Sequence, residues 1–443
     1  MKSVRFVTFG CKANQYDTQV LREALLRRGL AEQEQDCDLM VVNTCTVTAE
    51  AGRKARQLIR RVNREQPDTQ ICVTGCLAEN EPQILRELPG VQWVLGNGDA
   101  KRPINFLREL GHEISPEELG VPAGITQFQG HTRAFLKIQD GCDQACSFCI
   151  IPGVRGKSRS RESSDLQAEI ERLVRAGHVE IVLCGIHIGH WGRDLGLHLA
   201  DLLQDLIDLS ISDETGAPLE FRVRLSSIEA TEVCERTLDL MAGSPDRIAP
   251  HLHMPLQSGS GEILRAMNRW YDPEMYLRAC ERVRERLDRP ALSADVLVGF
   301  PGETEEHFQE TLETSRQAGF CSMHIFPFSA RAGTPAATMG GTVSPIDVRH
   351  RRMRLSEWAS RSADQYTQSL HGVEESVVLE GFSGLSGRYQ RVHVDPALIE
   401  GTPPPCLNVR LSVDRKEAAD STPDSPSYKI VLQGTPLAQE ARS

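Results

Sequence analysis

Short apolar runs alternate with helix-length segments through the first three quarters of the chain, and this alternation restricts the fold more than any other feature. Such an order is typical of α/β proteins whose strands lie parallel. In the first part a helix is expected from about Thr18 to Arg28, and a strongly basic helix follows the second strand. The strand-like runs are VRFVTFG, LMVVNTC, ICVTGC and VQWVLGN. We therefore predict an open parallel α/β sheet domain over residues 1–125, ending in a Gly-, Pro- and Glu-rich linker at about 111–130.

A second series of strand–helix units begins near His131. Its six strand-like runs are AFLKI, EIVLCGI, FRVRLSS, HLHMPLQ, ALSADVLVGF and CSMHIFPFS. Six βα units predict a central domain over residues 126–368 that forms a partial (β/α)6 barrel. In such a fold the functional groups gather at the carboxyl ends of the strands.

The last part of the chain, residues 369–443, changes character. Its β-like runs ESVVLEGFSG, GRYQRVHVD, CLNVRLSVD and SYKIVLQG are joined by Gly-, Pro- and Ser-rich segments. This pattern predicts a small antiparallel β-barrel. The segments GTPPP and AADSTPDSPS are expected to be loops without regular structure.

The segment GCDQACSFC sets Cys142, Cys146 and Cys149 at CxxxCxxC spacing directly after a predicted strand. Three thiolates can hold three irons of a cubane iron-sulfur cluster and leave the fourth open. An open coordination position is typical of a catalytic metal site. Two alternatives remain on spacing alone: a zinc site completed by a histidine such as His131, or a redox CxxC made by Cys146 and Cys149.

Three further cysteines, Cys11, Cys45 and Cys76, each follow an apolar strand, in FGC, NTC and TGC. Because the carboxyl ends of parallel strands meet at one edge of a sheet, these thiols are expected to converge. Cys37 and Cys72 lie before and inside a strand, and we expect them to be structural. The chain has 13 cysteines, an odd number, which favours metal binding or catalysis over a disulfide framework.

The formal net charge of -11 hides local basic runs. The run that follows the CxxxCxxC segment adjoins the proposed chemistry, and we predict that it binds RNA phosphates. It consists of Arg155, Lys157, Arg159 and Arg161. The N-terminus MKSVRFVTFG does not resemble a signal peptide, and no apolar run approaches the roughly 18 residues of a membrane helix. A cytoplasmic location without a membrane partner is therefore expected.

The CxxxCxxC segment resembles the signature of radical S-adenosylmethionine enzymes, in which an aromatic residue, here Phe148, precedes the third cysteine. The resemblance implies a 4Fe-4S cluster on Cys142, Cys146 and Cys149 whose open iron is chelated by S-adenosylmethionine. An electron from the cluster would cleave the cofactor to a 5'-deoxyadenosyl radical. The cofactor then carries the difficult step, and the protein positions it and excludes water.

The chain as a whole, from about residue 3 to residue 365, resembles the tRNA methylthiotransferases. The motifs that carry the resemblance are FGCKANQYDT, NTCTVT, TGCLA, RLSSIEA, HLHMPLQSGSGEILRAMNRWY, DVLVGFPGETEEHF and HIFPFSARAGTPAATM. It implies a second 4Fe-4S cluster on Cys11, Cys45 and Cys76 that holds the sulfur. One S-adenosylmethionine would methylate that sulfur and another would give the radical that removes hydrogen from C2 of an adenine.

Within that family the opening GCKxNQYDT looks like the MtaB-type branch, whose members act on threonylcarbamoyladenosine beside the anticodon. The resemblance implies tRNA, an electron donor such as flavodoxin or ferredoxin, and a sulfur source as partners. The C-terminal barrel resembles the RNA-binding TRAM module through Tyr389-Gln390-Arg391-Val392. Alternative substrates are another tRNA adenosine derivative or a ribosomal-protein aspartate. A non-enzymatic alternative is a zinc-stabilised RNA-binding scaffold.

Several residues at predicted strand ends are candidates for binding S-adenosylmethionine. Besides Phe148, they are Gly185, Arg224, Gln257 and Ser258. His251 and His253 alternate along a strand and so point the same way, but without a third ligand we expect them to pack or to form hydrogen bonds. No catalytic residue is assigned beyond the cluster ligands.

Overall fold

The computed structural model describes residues 1–115, 124–399, 401–417 and 428–437. Its N-terminal part is a five-stranded sheet in the order β2-β1-β3-β4-β5, and every pairing in it is parallel. The strands are β1 (Ser3–Thr8), β2 (Ala31–Glu32), β3 (Leu39–Thr44), β4 (Gln70–Gly75) and β5 (Val91–Leu95). The helices are α1 (Lys12–Leu26), α2 (Ala49–Glu65), α3 (Cys76–Asn80), α4 (Pro82–Arg86) and α5 (Pro103–Glu109). The predicted open parallel α/β sheet is thus confirmed.

Both faces of this sheet are covered, which explains why β3 is apolar along most of its length. Leu39 and Val41 pack with residues of α1 and α5, whereas Met40 and Val42 pack with residues of α2. Alternate side chains of a strand point to opposite faces, so each face receives its own hydrophobic layer.

Helix α1 begins at Lys12 and ends at Leu26, so its predicted start near Thr18 was wrong. The chain leaves β1 through Gly10, whose φ of +106° is in the left-handed region, and Cys11 is the extended N-cap residue. The first turns of the helix are polar and therefore lack the apolar period that marks helices in a sequence. Asn14 and Asp17 are nevertheless buried.

The central part contains the six predicted parallel strands, arranged as two three-stranded sheets, β10-β9-β6 and β11-β12-β13. Isolated bridges from Val223 to Ile248 and from Ser227 to His253 join the two sheets into one partial barrel. Its strands are β6 (Arg133–Lys137), β9 (Glu180–Cys184), β10 (Arg222–Leu225), β11 (His251–His253), β12 (Ala291–Val298) and β13 (Ser322–Pro327). A short antiparallel pair, β7 (Gln139–Asp140) and β8 (Arg159–Ser160), lies beside the first strand.

The central part also contains helices. They are α6 (Ile151–Arg155), α7 (Ser163–Arg175), α8 (Leu199–Asp208), α9 (Glu235–Gly243), α10 (Gly261–Ala266), α11 (Pro273–Arg286), α12 (Glu305–Ala318) and α13 (Pro345–Ser369). Single 3-10 turns occur at Gly98–Lys101, Ile188–His190, Arg193–Leu195, Ala230–Glu232, Pro335–Thr338 and Pro396–Leu398. On β12, Ala294, Val296 and Val298 pack in the core under the helices. The alternate side chains therefore face the inside of the barrel.

The C-terminal part is a closed five-stranded barrel in the order β14-β15-β16-β18-β17. The strands are β14 (Glu374–Glu380), β15 (Ser383–Ser386), β16 (Arg391–Val394), β17 (Cys406–Glu417) and β18 (Tyr428–Pro436). All pairings are antiparallel except β16–β18, which is parallel. The first predicted run is divided into two strands at Gly381, whose φ is +70°. The predicted loop AADSTPDSPS and residues 116–123 of the predicted linker lie outside the described residues.

The C-terminal barrel covers the amino-terminal end of the central strands. Arg222 donates to the carbonyl oxygen of Ser376 at 2.8 Å, and Arg224 donates to those of Ser386 at 2.9 Å and Gly387 at 2.8 Å. Both guanidinium groups also bond Glu180, the first residue of β9. Burial opposes ionisation of Glu180, but Arg224 and Arg222 outweigh it and lower its pKa to about 2. Buried charges paired in this way fix the relative position of the two barrels.

Among the described residues, none of the helices is both long and apolar enough to span a membrane.

Candidate metal centres

Cys142, Cys146 and Cys149, here called the loop triad, lie on the segment between β7 and α6. The amide of Cys142 donates to the carbonyl oxygen of Gly156 at 3.0 Å, so the segment folds back on itself. Gly141, with a φ of +76°, is required at its start. A side-chain carbon there would lie 2.0 Å from the carbonyl oxygen of Lys157. The backbone thus turns three thiols into one small volume.

The thiols of the loop triad affect one another. Burial, together with the nearby charges of Cys146 and Cys142, raises the pKa of the Cys149 thiol to about 11. Two cationic groups lie against the sulfurs. Arg269 donates from Nη1 to Cys146 Sγ at 3.4 Å, and His187 Nδ1 lies 3.5 Å from Cys142 Sγ. Such groups stabilise thiolates and tune a metal that the thiolates bind.

His187 was not predicted from the sequence. Its Nε2 lies 2.8 Å from Glu232, and its ring stacks on His190 with centroids 3.7 Å apart. Burial lowers the pKa of His187, but the contacts with Cys142 and Glu232 outweigh burial and raise it to about 9. The residue lies just after β9, and this position at a strand end was the available signal.

Cys11, Cys45 and Cys76, here called the strand triad, follow β1, β3 and β4 as predicted. A side-chain carbon on Gly10 would lie 2.7 Å from Cys45 Cβ and 3.0 Å from Cys45 Sγ, so the segments after β1 and β3 are in close contact. Burial, together with the nearby charges of Cys76 and Cys11, raises the pKa of the Cys45 thiol to about 11. Three thiols from separate strand ends therefore converge at one edge of the sheet.

Arg155 reaches from the segment that follows the loop triad to the strand triad. It is the last residue of α6, directly beyond the loop triad, yet its Nε donates to Cys76 Sγ of the strand triad at 3.3 Å. Its Nη1 donates to Asp140 at 2.8 Å, and its Nη2 donates to Asn14 and Asp17. The guanidinium is thus shared between the N-terminal and central parts of the protein.

The same burial corrects part of the predicted RNA-binding run. Arg155 is only 5% exposed and cannot reach a phosphate in this arrangement. Arg161 donates to the Tyr16 hydroxyl at 2.9 Å and to Glu169 at 2.6 Å, and so also joins the two parts. Lys157 and Arg159 of that run are exposed.

The donor sets fit iron-sulfur clusters better than a zinc site completed by His131. The Nδ1 atom of His131 lies 3.3 Å from Glu380 of the C-terminal barrel, away from the loop triad. Each triad offers three thiols, and the cationic Arg269, His187 and Arg155 suit an anionic thiolate cluster.

Comparison with known proteins agrees with this arrangement. The radical SAM superfamily model matches residues 136–314, and the model of uncharacterized protein family UPF0004 matches residues 3–96. The threonylcarbamoyladenosine tRNA methylthiotransferase MtaB of Bacillus subtilis is 39% identical over 396 residues, which cover 86% of this chain and 84% of that protein. The MtaB protein of Thermotoga maritima is 34% identical, with 89% and 91% covered. This chain belongs to the MtaB family of tRNA methylthiotransferases.

Relatives of a second type also match the MtaB-family chain. The tRNA-2-methylthio-N(6)-dimethylallyladenosine synthase of Streptomyces griseus is 34% identical, with 99% of this chain and 88% of that protein covered. Among solved structures, the radical S-adenosylmethionine methyltransferase TsrM from Kitasatospora setae has a TM-score of 0.55 at 17% identity, covering 76% of this chain and 77% of that chain. At this sequence identity, the similarity to TsrM shows a shared fold and nothing about function.

As a radical SAM enzyme, the MtaB-family protein uses S-adenosylmethionine and a 4Fe-4S cluster. The predicted cofactor-binding residues lie in different places in the structure. Arg224 bonds Glu180 and the C-terminal barrel, so its predicted contact with S-adenosylmethionine was wrong. Ser258 is buried, with its hydroxyl 3.2 Å from that of Thr311 in α12.

Gly185, Phe148 and Gln257 lie near the carboxyl ends of the central strands. At Gly185 a side-chain carbon would lie 2.8 Å from the carbonyl oxygen of Gln139, so the glycine permits close backbone packing. Phe148 packs edge-on to Phe300, with centroids 6.5 Å apart. Gln257 has a left-handed φ of +62°, a conformation that is uncommon outside glycine and is concentrated at functional sites.

Proposed function

We propose that this protein adds a methylthio group to C2 of threonylcarbamoyladenosine beside the anticodon of a tRNA. The observation that carries the proposal is the pair of cysteine triads, with Arg155 of the segment that follows the loop triad donating to Cys76 of the strand triad, since sulfur insertion needs a radical site and a sulfur site near each other. The MtaB relatives, at 34% to 39% identity over most of the chain, support the choice of base.

The loop triad is the proposed site of the radical-generating cluster. Cys142, Cys146 and Cys149 would hold three of its irons, and S-adenosylmethionine would occupy the fourth. When bound, this pair supplies a carbon-centred radical that can remove hydrogen from C2 of adenine. Arg269 donates to Cys146, His187 lies beside Cys142, and Phe148 packs against the hydrophobic cluster that contains Phe300. Gly185 and Gln257 are the remaining candidates for contacts with the cofactor.

The strand triad is the proposed site of a second 4Fe-4S cluster. Cys11, Cys45 and Cys76 would hold it, and its open iron would hold the sulfur for transfer. Arg155 donates to Cys76, and the amide of Val47 donates to Cys45 Sγ at 3.5 Å. Charged hydrogen bonds of this type stabilise thiolate ligands and orient them.

Lys157 and Arg159 are the proposed phosphate contacts, because they are exposed on the segment that begins at the loop triad. Electrons would come from a flavodoxin or ferredoxin, and the sulfur from a separate donor.

Anaerobic metal analysis combined with nucleoside mass spectrometry tests the proposal. The reconstituted protein is expected to contain about eight irons and eight sulfides per chain. A Cys11→Ala/Cys45→Ala double variant is expected to retain about half of each. Iron at half the expected level in the wild-type protein, unchanged in the double variant, would remove the second cluster. Zinc alone would favour the RNA-binding scaffold and end the radical mechanism.

The choice of base is tested by incubating the wild-type enzyme with tRNA from a strain that lacks this enzyme. Methylthio-threonylcarbamoyladenosine is the expected product. Dimethylallyladenosine is the second candidate, favoured by the Streptomyces griseus relative that matches 99% of this chain. A methylthio group on dimethylallyladenosine alone, or on a ribosomal-protein aspartate, would overturn the assignment.

A further inference from the structure

Four arginines in the first half of helix α13 fall into two pairs with different surroundings. Arg351 and Arg354 donate to carboxylates at or just before the start of α12, at 2.5 Å and 2.6 Å, and so attach α13 to the central barrel. Arg349 and Arg352 are exposed, and neither side chain forms an ion pair or a hydrogen bond with another described residue. Two of the four cations are therefore free to meet a partner.

The two unpaired arginines lie beside the two most exposed large apolar side chains of the described residues. Ile346 is 64% exposed and Met353 is 63% exposed. Positions 346, 349 and 353 have the spacing i, i+3 and i+7, which places them on one face of the helix, and Arg352 is a neighbour of Arg349 at i+3. Ile346, Arg349, Arg352 and Met353 are here called the outer patch.

One layer of packed side chains separates α13 from the loop triad. Val348, on the inner side of α13, lies close to Gly299, where a side-chain carbon would lie 2.5 Å from Val348 Cγ2. Gly299 precedes Phe300, whose ring packs edge-on against Phe148 with centroids 6.5 Å apart. Phe148 is next to Cys149 in the chain. A molecule bound to the outer patch would therefore lie behind the loop triad.

The composition and the place of the outer patch favour a protein partner over RNA. RNA phosphates are bound by cationic and polar groups, whereas protein interfaces are enriched in Arg and Met together with other apolar side chains. The proposed phosphate contacts, Lys157 and Arg159, lie beside β6 at one edge of the row of central strands. Helix α13 packs on β13 at the other edge. The outer patch is thus separate from the proposed RNA contacts.

Charge indicates which class of protein fits the outer patch. The chain has a formal net charge of -11, so most of its surface repels an acidic partner. Arg349 and Arg352 form a local exception, because no carboxylate of the described residues neutralises them in an ion pair. Complementary charges of this kind steer and orient a partner, and the adjacent Ile346 and Met353 supply apolar contact. An acidic protein is therefore the matching occupant.

We propose that the outer patch is the docking site of an acidic one-electron carrier protein that reduces the cluster held by the loop triad. This inference rests on the proposed function, in which that cluster must gain an electron before S-adenosylmethionine is cleaved. In the transfer one electron leaves the carrier and one enters the cluster, and no bond forms or breaks. Docking on α13 leaves Lys157 and Arg159 free for RNA.

The test compares two reductants in the cleavage of S-adenosylmethionine by the reconstituted full-length enzyme. Reduced flavodoxin needs a docking site, whereas dithionite is a small molecule and does not. Arg349→Glu/Arg352→Glu is expected to lower kcat/KM for flavodoxin by about 10- to 100-fold, because steering charges set the rate of association, and to remove most of its salt dependence. Cleavage driven by dithionite should stay within about twofold of the wild-type rate.

A second variant tests the apolar side chains, and a third is the matched control. Ile346→Ser/Met353→Ser should raise KM for flavodoxin by about 3- to 10-fold without changing the salt dependence. Arg60→Glu/Arg64→Glu makes the same change in charge at two exposed arginines of α2 and should leave cleavage with both reductants unchanged. Iron content shows whether each variant retains its clusters.

Equal losses with flavodoxin and dithionite at full iron content would overturn the inference. Unchanged flavodoxin kinetics in both outer-patch variants would do the same, and a loss of tRNA affinity in those variants would then assign the patch to RNA. The inference also fails if dithionite supports cleavage by the wild-type enzyme but neither flavodoxin nor ferredoxin does. If the wild-type enzyme does not cleave S-adenosylmethionine even with dithionite, the proposed function itself fails.

Discussion

The two cysteine triads offer similar donors but are built in different ways. Cys142, Cys146 and Cys149 lie on one short loop, and Gly141 allows that loop to close on the carbonyl oxygen of Lys157. Cys11, Cys45 and Cys76 come from three strand ends and meet only when the N-terminal sheet has formed. The loop triad is a local structure, whereas the strand triad depends on tertiary structure.

The two triads also differ in whether the cationic groups around their sulfurs come from the same part of the protein or from another part. The loop triad takes its cationic neighbours, Arg269 and His187, from its own barrel. The strand triad takes Arg155 from the neighbouring part of the protein. The strand triad is therefore complete only when the sheet and the central barrel are docked, which couples the proposed sulfur site to the radical site.

Replacing a cysteine of each triad gives the largest expected effect. Cys146→Ser and Cys76→Ser should each abolish methylthiolation and each reduce iron from about eight to about four per chain. Cys146→Ser should also abolish reductive cleavage of S-adenosylmethionine, which Cys76→Ser should retain. Iron and sulfide analysis with a cleavage assay makes the measurement. Cys406→Ser, at an exposed cysteine of the C-terminal barrel, is the control. Loss of cleavage in both triad variants would show that the two sites do not assemble independently.

Arg155→Met should affect the strand triad although Arg155 follows the loop triad in the chain. It removes one buried cation from Asp17, which keeps Lys101 and Lys137, and from Asp140, which keeps Lys137, so the free energy of unfolding should fall by about 1–3 kcal/mol. Iron should drop towards about four per chain. Urea unfolding of the apoprotein and metal analysis of the reconstituted protein provide the measurements, with the exposed Lys157→Met as the matched control. Full iron content and unchanged stability would show that assembly of the strand triad does not depend on Arg155.

Acid should weaken the ion pairs of Asp140 with Lys137 and Arg155, the two cations that also bond Asp17 of the N-terminal part. Burial opposes ionisation of Asp140, but Lys137 and Arg155 outweigh it and lower its pKa from 3.8 to about 2. Because the folded-state pKa is depressed, this stabilisation is present above pH 3.8 and is lost as the pH falls through about 2. It amounts to about 2 kcal/mol. Urea unfolding of the apoprotein between pH 5 and pH 2 should show a shallower decline in Asp140→Asn. An identical decline would mean that Asp140 does not contribute to docking.

Lys157→Met/Arg159→Met should give the smallest effect, because both residues are exposed. The affinity for tRNA should fall severalfold, and the slope of log K against log salt should decrease by about 2, as for two lost phosphate contacts. Cofactor cleavage should not change. Binding titrations at several salt concentrations provide the measurement. An unchanged slope would exclude this segment from the RNA interface.

The fold was largely predictable because apolar periodicity and strand–helix order are local properties of a sequence. The parallel sheet, the six central strands and the C-terminal barrel all follow from them. The start of α1 could not be found in this way, since its first turns are stabilised by tertiary contacts. Asn14, for example, donates to the carbonyl oxygen of Thr44 at 2.9 Å.

The cysteines of the loop triad could be selected from the sequence by their CxxxCxxC spacing, and those of the strand triad by their positions at strand ends. The contacts that the arginines make could not be predicted from the sequence. Arg155 and Lys157 lie in one basic run, yet only Lys157 is exposed, because burial depends on where the N-terminal sheet docks. Arg224 seemed suited to a cofactor because it lies on a central strand. Its direction towards the C-terminal barrel depends on a contact 163 residues away, with Gly387.

The attachment of the C-terminal barrel has a kinetic consequence. Because Arg222 and Arg224 tie it across the amino-terminal end of the central strands, ligands enter and leave the inside of the central barrel from the end that carries the cysteine triads. A bound tRNA would cover that entrance. The enzyme should therefore follow a compulsory order, in which S-adenosylmethionine binds before the RNA and 5'-deoxyadenosine departs only after the RNA has left.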